Sequence, residues 1–139
     1  MSTISLCLTK PTTNSMKLQN SFYTIEHQET QDFPLRYDLQ LNAGHTIYQA
    51  HFPGKPITPG VCIVQIAVEL LEDYLQKPLL LNSIKNIKFL SVISPTETPL
   101  VTYTINKIEE QDSEIKAALH VSAGEMQLTK ISLTCNAHI

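Results

Sequence analysis

Residues 33–41 alternate without a break. Phe33, Leu35, Tyr37, Leu39 and Leu41 fall on one face, and Pro34, Arg36, Asp38 and Gln40 on the other. A period of two predicts a half-buried strand. NSFYTIEHQ, residues 20–28, reads as a weaker strand before it. The same period returns near the end of the chain. Val101, Tyr103 and Ile105 share a face; so do Ile115, Ala117, Leu119, Val121 and Ala123, and then Ile131, Leu133 and Cys135. The segments EEQDS and AGE separate these runs as hairpin loops would. SIKNIKFLSVI, residues 83–93, predicts a further strand closed by Ser94-Pro95.

One segment breaks the alternation. Thr58-Pro59-Gly60 opens it and Lys77-Pro78 closes it. Thr58 suits a helix N-cap, and Pro59 suits the first helical position, where a missing N–H costs nothing. Gly60 is then the second. Gln65, Glu69, Glu72, Asp73 and Gln76 fall within an arc of about 100° at helical spacing. Nearly every other position is apolar, so the helix is expected to be buried on most sides, with one narrow polar stripe. One long helix wrapped by a meandering antiparallel sheet is an α+β design. A sheet curled on a single helix leaves its edges open, which predicts a dimer with the sheets paired across a two-fold axis.

Composition narrows the partners. The 139 residues suit one domain, with 42% hydrophobic and only 17% charged residues, so part of a largely neutral surface is available for a partner. A net charge of −3, with no basic run and no Trp, speaks against nucleic acid. Cys7, Cys62 and Cys135 lack metal-ligand spacing and read as buried thiols. No apolar run reaches the roughly 20 residues that cross a bilayer, and the start resembles no signal peptide, which leads to an expectation of cytoplasm. Residues 1–15 are rich in Ser and Thr and are expected to form a loose arm, followed by a single domain over 16–139.

HFPGKPITPGV, residues 51–61, is the unusual stretch. Pro53, Pro56 and Pro59 each fix φ, and Gly54 and Gly60 allow tight bends, so the loop is shaped in advance. Unpaired N–H groups at a helix start favour negative charge and can hold a thioester oxygen or its enolate. His51 precedes the loop, and a neutral imidazole takes protons near pH 7. A lone histidine is more often structural. That reading is kept for His27, His45, His120 and His138, among which no pair has ligand spacing.

The same stretch resembles the signature of the β-hydroxyacyl-acyl-carrier-protein dehydratases, His-Phe-Pro-Gly-x-Pro-x-x-Pro-Gly-Val, and matches it at every fixed position. A weaker likeness runs from about residue 44 to 101. The resemblance implies a hot-dog fold, with the sheet wrapped round a central helix. His51 would take the α-proton of a 3-hydroxyacyl thioester, and the Gly60 N–H would bind its carbonyl, with Phe52 and Val61 beside the substrate. Val61, Cys62, Ile66 and Phe89 are candidate liners of an acyl channel. The carrier would be acyl-carrier protein or coenzyme A, with no metal or other cofactor.

The resemblance also marks departures. The family places a carboxylate fourteen residues after the histidine; here that position is Gln65, and an amide cannot supply an acid's proton. Many members carry glutamine four residues beyond, where this chain has Glu69, so QIAVE looks like an exchange of the two side chains one helical turn apart, about 6 Å. Glu69 is therefore a catalytic candidate, against a solvated or interface carboxylate on the polar stripe. Ala50 replaces a usual glycine. Leu90 and Ser91 replace basic residues, while Lys85 and Lys88 remain; Lys55 reads as a solubilising charge. Two functions follow: a dehydratase with altered acid chemistry, or an acyl-binding accessory subunit whose partner supplies the acid. A thioesterase fits less well, because a carboxylate usually handles its water.

Overall fold

The computed structural model describes residues 17–50 and 54–137. Eight elements follow in chain order. β1 (Tyr23–Glu29) and β2 (Leu35–Leu41) come first, then a short helix α1 (Thr46–Ala50) and the long helix α2 (Gly60–Leu75). β3 (Leu79–Phe89), β4 (Leu100–Gln111), β5 (Glu114–Ala123) and β6 (Met126–Ala137) complete the order. All six strands form one antiparallel sheet, β1-β2-β4-β5-β6-β3, so β3 lies on an edge although it directly follows α2.

The alternating faces come out as the period predicts. Leu35, Tyr37, Leu39 and Leu41 are buried, as are Val101, Tyr103 and Ile105, then Ile115, Ala117, Leu119 and Val121, and Ile131, Leu133 and Cys135. Their shared face packs on α2, whose Cys62, Ile63, Val64, Ile66, Ala67, Val68, Leu70 and Leu71 are also buried. Asp112 and Ser113 turn β4 into β5 with positive φ at both positions, a twist that suits a two-residue hairpin. Gly124, at φ 60°, turns β5 into β6.

Several boundaries differ from the sequence reading, among them β1, which spans Tyr23–Glu29 rather than 20–28, and one element is new. The strand expected from Phe33 begins at Leu35, the first residue registered against β4, opposite Ile105. Phe33 is exposed and meets Tyr74 edge-on instead. The strand expected over 83–93 runs from Leu79 to Phe89, because the unpatterned leucines 79–81 pair with the end of β6. α1 was not foreseen, since five residues carry too little periodicity to see.

The polar stripe of α2 is not a solvent face. Three tyrosine hydroxyls tie the helix to the sheet, two of them on the stripe. Tyr23 of β1 donates to Glu69 at 3.0 Å, Tyr37 of β2 to Asp73 at 3.2 Å, and Tyr103 of β4 to the Ile63 carbonyl at 2.9 Å. Glu72 accepts the Leu79 N–H at 2.8 Å, which fixes the turn out of the helix. Burial, and then the neighbouring carboxylate, raises the Tyr23 and Tyr37 hydroxyls well above the usual phenol range, so both stay protonated donors.

Candidate active site

The start of α2 is one residue later than the sequence suggests. Pro59 is the N-cap, at φ −63° and ψ 145°, and Gly60 is the first helical residue. Among the described residues no side chain caps the helix. The Thr58 hydroxyl is engaged elsewhere, with the Tyr48 hydroxyl at 2.8 Å, and its N–H donates to Ile93 O at 2.8 Å. The Pro59 carbonyl takes the N–H groups of Cys62 and Ile63 at 3.0 and 3.2 Å. The amides of Gly60 and Val61 lie ahead of these first bonds and have no intrahelical acceptor. Summed with the helix dipole, they make a local preference for negative charge.

Phe89, the last residue of β3, lies over this helix start. A Cβ placed on Gly60 would be 2.9 Å from the Phe89 ring, so a glycine here lets the ring approach the backbone. Phe89 is 54% exposed and Val61 76% exposed, so the amides open beside two apolar side chains at the surface. Cys62 and Ile66 point the other way, into the core. Burial raises the Cys62 thiol above its usual range, which keeps it a small apolar group.

His51 and Phe52 lie outside the described residues. Their flanks are well held. α1 ends at Ala50, immediately before His51. Its Tyr48 is buried and stacks on Phe22, with ring centroids 4.9 Å apart at 20°. Burial pushes the Tyr48 hydroxyl up to about 12, and its bond to Thr58 ties α1 to the residue just before the cap of α2.

Gln65 and Glu69 are brought together one turn apart. Gln65 Nε2 donates to Glu69 Oε2 at 2.9 Å. Glu69 is buried, at 1% exposure, which excludes the solvated carboxylate. Its other donors come from outside the helix: Leu18 N at 2.7 Å, Gln19 N at 2.9 Å and the Tyr23 hydroxyl. Helical spacing predicts the Gln65 contact. Main-chain donors at 18 and 19 leave no trace in side-chain patterns, and sequence reasoning missed them; Tyr23 was visible only as a strand residue.

Among the described residues no helix is long and apolar enough to cross a membrane. Comparison with known proteins places the chain. Curated relatives are 3-hydroxyacyl-acyl-carrier-protein dehydratases FabZ. That of Latilactobacillus sakei subsp. sakei is 28% identical over 101 residues, 68% of this chain and 70% of the relative. That of Clostridium acetobutylicum is 33% identical over 70 residues, 45% of this chain and half of the relative. Among solved structures, the dehydratase heterocomplex ApeI:P from Xenorhabdus doucetiae superposes with a TM-score of 0.64 at 18% identity, covering 81% of this chain and 96% of that one. A mutant thioesterase from Staphylococcus aureus subsp. aureus Mu50 gives 0.58 at 14% identity, covering 84% and 93%. At such identities these structures establish the hot-dog fold alone. The family described as ApeI-like, ApeI dehydratase, matches residues 25–127, and the chain belongs to that family of hot-dog dehydratases.

Proposed function

We propose that the protein removes water from a 3-hydroxyacyl thioester, carried by acyl-carrier protein or coenzyme A, to give the trans-2-enoyl thioester. The observation that carries this reading is the uncapped start of α2. Thr58 is withdrawn to Tyr48, so the Gly60 amide is left for a substrate oxygen. It follows directly on the loop that begins with His51.

The steps balance with the chain's own residues. The Gly60 N–H polarises the thioester carbonyl and stabilises the charge that develops as the α-carbon loses its proton. Neutral His51 takes that proton as the Cα–H bond breaks. The electron pair forms the Cα–Cβ double bond and expels the β-oxygen. The imidazolium returns the proton to that oxygen, which leaves as water. Gln65 hydrogen-bonds the β-hydroxyl and orients it, while Phe52 and Val61 flank the acyl group. Glu69 acts from behind Gln65. No metal or redox cofactor enters this scheme. The expected assembly is a homodimer paired through the open edge of the sheet.

Purified protein incubated with 3-hydroxyacyl thioesters of graded chain length should form the enoyl product, and His51→Ala should abolish turnover. Carrier binding without turnover at any length would overturn the reading.

A second reading has its own support. Gln65 replaces the family's acid, and Glu69 is fully engaged in hydrogen bonds. The chain is then the acyl-binding half of a heterocomplex whose other subunit supplies the carboxylate; the Xenorhabdus doucetiae relative is itself a dehydratase heterocomplex. A rise in turnover in Gln65→Glu, from a low wild-type level, favours this second reading; a fall favours the first.

A further inference from the structure

We propose that Glu69 is a positioning residue that fixes which end of the Gln65 amide meets the substrate. This rests on the dehydratase reading for its consequence, though not for its geometry. A carboxylate offers about four lone-pair directions and no donor when ionised. All four are met here. Oε1 takes Gln19 N and the Tyr23 hydroxyl, and Oε2 takes Leu18 N and Gln65 Nε2. Such a group can only receive N–H from Gln65, so the amide is held with Nε2 towards Glu69 and its carbonyl oxygen turned away. Oε1 of Gln65 has no hydrogen-bond partner among the described residues, and the side chain is only half-buried.

The site is therefore offered an acceptor. A substrate β-hydroxyl donates to it, and the oxygen's lone pairs are left for the proton arriving from His51. An NH2 group at the same place would occupy one of those lone pairs. Glu69 cannot itself swing towards the helix start without giving up Leu18 N, Gln19 N and the Tyr23 hydroxyl. The exchange of acid and amide along this helix thus keeps an acceptor facing the substrate and moves the charge behind it.

Three proteins test this: E69Q, Q65E and the double variant Q65E/E69Q. In E69Q only one acceptor oxygen is left; kept on Gln19 N and the Tyr23 hydroxyl, it puts the new NH2 where Oε2 met Leu18 N and residue 65. Gln65 then turns over and shows NH2 to the site. The kcat should fall about tenfold, the equivalent of one hydrogen bond, with KM little changed. In Q65E/E69Q a carboxylate at 65 accepts from the amide at 69 and again presents an oxygen, so most of the lost kcat should return. In Q65E alone two carboxylates face each other and share a proton, so kcat should gain a new alkaline limb in its pH profile.

If Glu69 merely anchors residues 18 and 19, the double variant will be as impaired as E69Q, and the proposal fails. An unaltered kcat in E69Q also overturns it. Solvent exchange of the Gln65 side-chain NH2, followed by NMR, reads the orientation without any turnover. It should be slow in the native protein and faster in E69Q, and equal rates overturn the proposal. A native protein that forms no enoyl product refutes the dehydratase reading, while the exchange rates still decide the orientation.

Discussion

Gly60 serves two ends with one missing side chain. It lets the Phe89 ring rest against the helix start, and it leaves an amide unshielded. Gly60→Ala separates the two. The clash is with the tip of the half-exposed Phe89 ring, which can swing away, and alanine suits a helix at least as well as glycine. The melting temperature should hardly change. The added methyl and the displaced ring crowd the amide, so kcat/KM should fall by about tenfold or more. Unchanged kcat/KM would remove Gly60 from the site. His120 gives a residue-scale test on the outer face of the sheet. Across from it stand Lys130 of β6 and Thr104 of β4, and Lys88 of β3 lies beyond Lys130. Burial, and then the Lys130 charge, lowers its pKa below the usual 6.5. The unfolded chain therefore takes this proton first as pH falls. His120 contributes stability that is complete above 6.5 and is lost as pH drops from there towards the folded value. Lys130→Gln should raise the His120 pKa part of the way and narrow that window, as an NMR titration of the ring would show. A ring that titrates unchanged would assign the whole shift to burial.

Elements were legible in the sequence wherever one face of them is buried. Tyr37, Leu39 and Leu41 announced β2, and Ile115 to Val121 announced β5, because period two survives when one side meets the core and the other meets water. The long helix was equally plain between its proline punctuation. What stayed hidden depends on the chain far away. Glu69 looked like part of a solvated stripe, since nothing local tells that β1 and residues 18–19 cover it. Thr58 looked like a cap, since nothing local tells that Tyr48, ten residues earlier, claims its hydroxyl. The helix-to-sheet ties are accordingly the features that mutation must weigh. Tyr23→Phe removes a donor from a buried carboxylate and should destabilise by about 2 kcal/mol. Tyr37→Phe removes one from the half-buried Asp73, which water can partly replace, and should cost about 1 kcal/mol or less. Urea unfolding of the two variants checks the order; equal losses would mean that Glu69 finds another donor.

At the scale of the whole molecule, the open edge of the sheet decides how the site is completed. Among the described residues β3 is registered to β6 on one side only. Its Leu81, Ile84 and Phe89 stand opposite Cys135, Leu133 and Thr129, residues of the core-facing side, yet they are 43%, 43% and 54% exposed. An edge strand with an apolar face that the described residues leave exposed tends to recruit another strand. A second copy docked antiparallel through a two-fold axis satisfies both needs at once, since each β3 is the other's complement. Phe89 belongs to this edge and also touches Gly60, so the joint runs past the helix start and its exposed Val61. Pairing would thus cover the helix start and exclude water from it, which would strengthen the hydrogen bond proposed for the Gly60 N–H. Ile84→Asp puts a charge into the joint but into no core. Sedimentation at micromolar concentration should show a dimer for the native chain and a monomer for the variant, with helical circular dichroism kept and turnover lost in parallel. A native chain that sediments as a monomer and turns over substrate removes pairing from the mechanism. One that is monomeric and inactive until a different hot-dog subunit is added assigns the edge to that subunit instead.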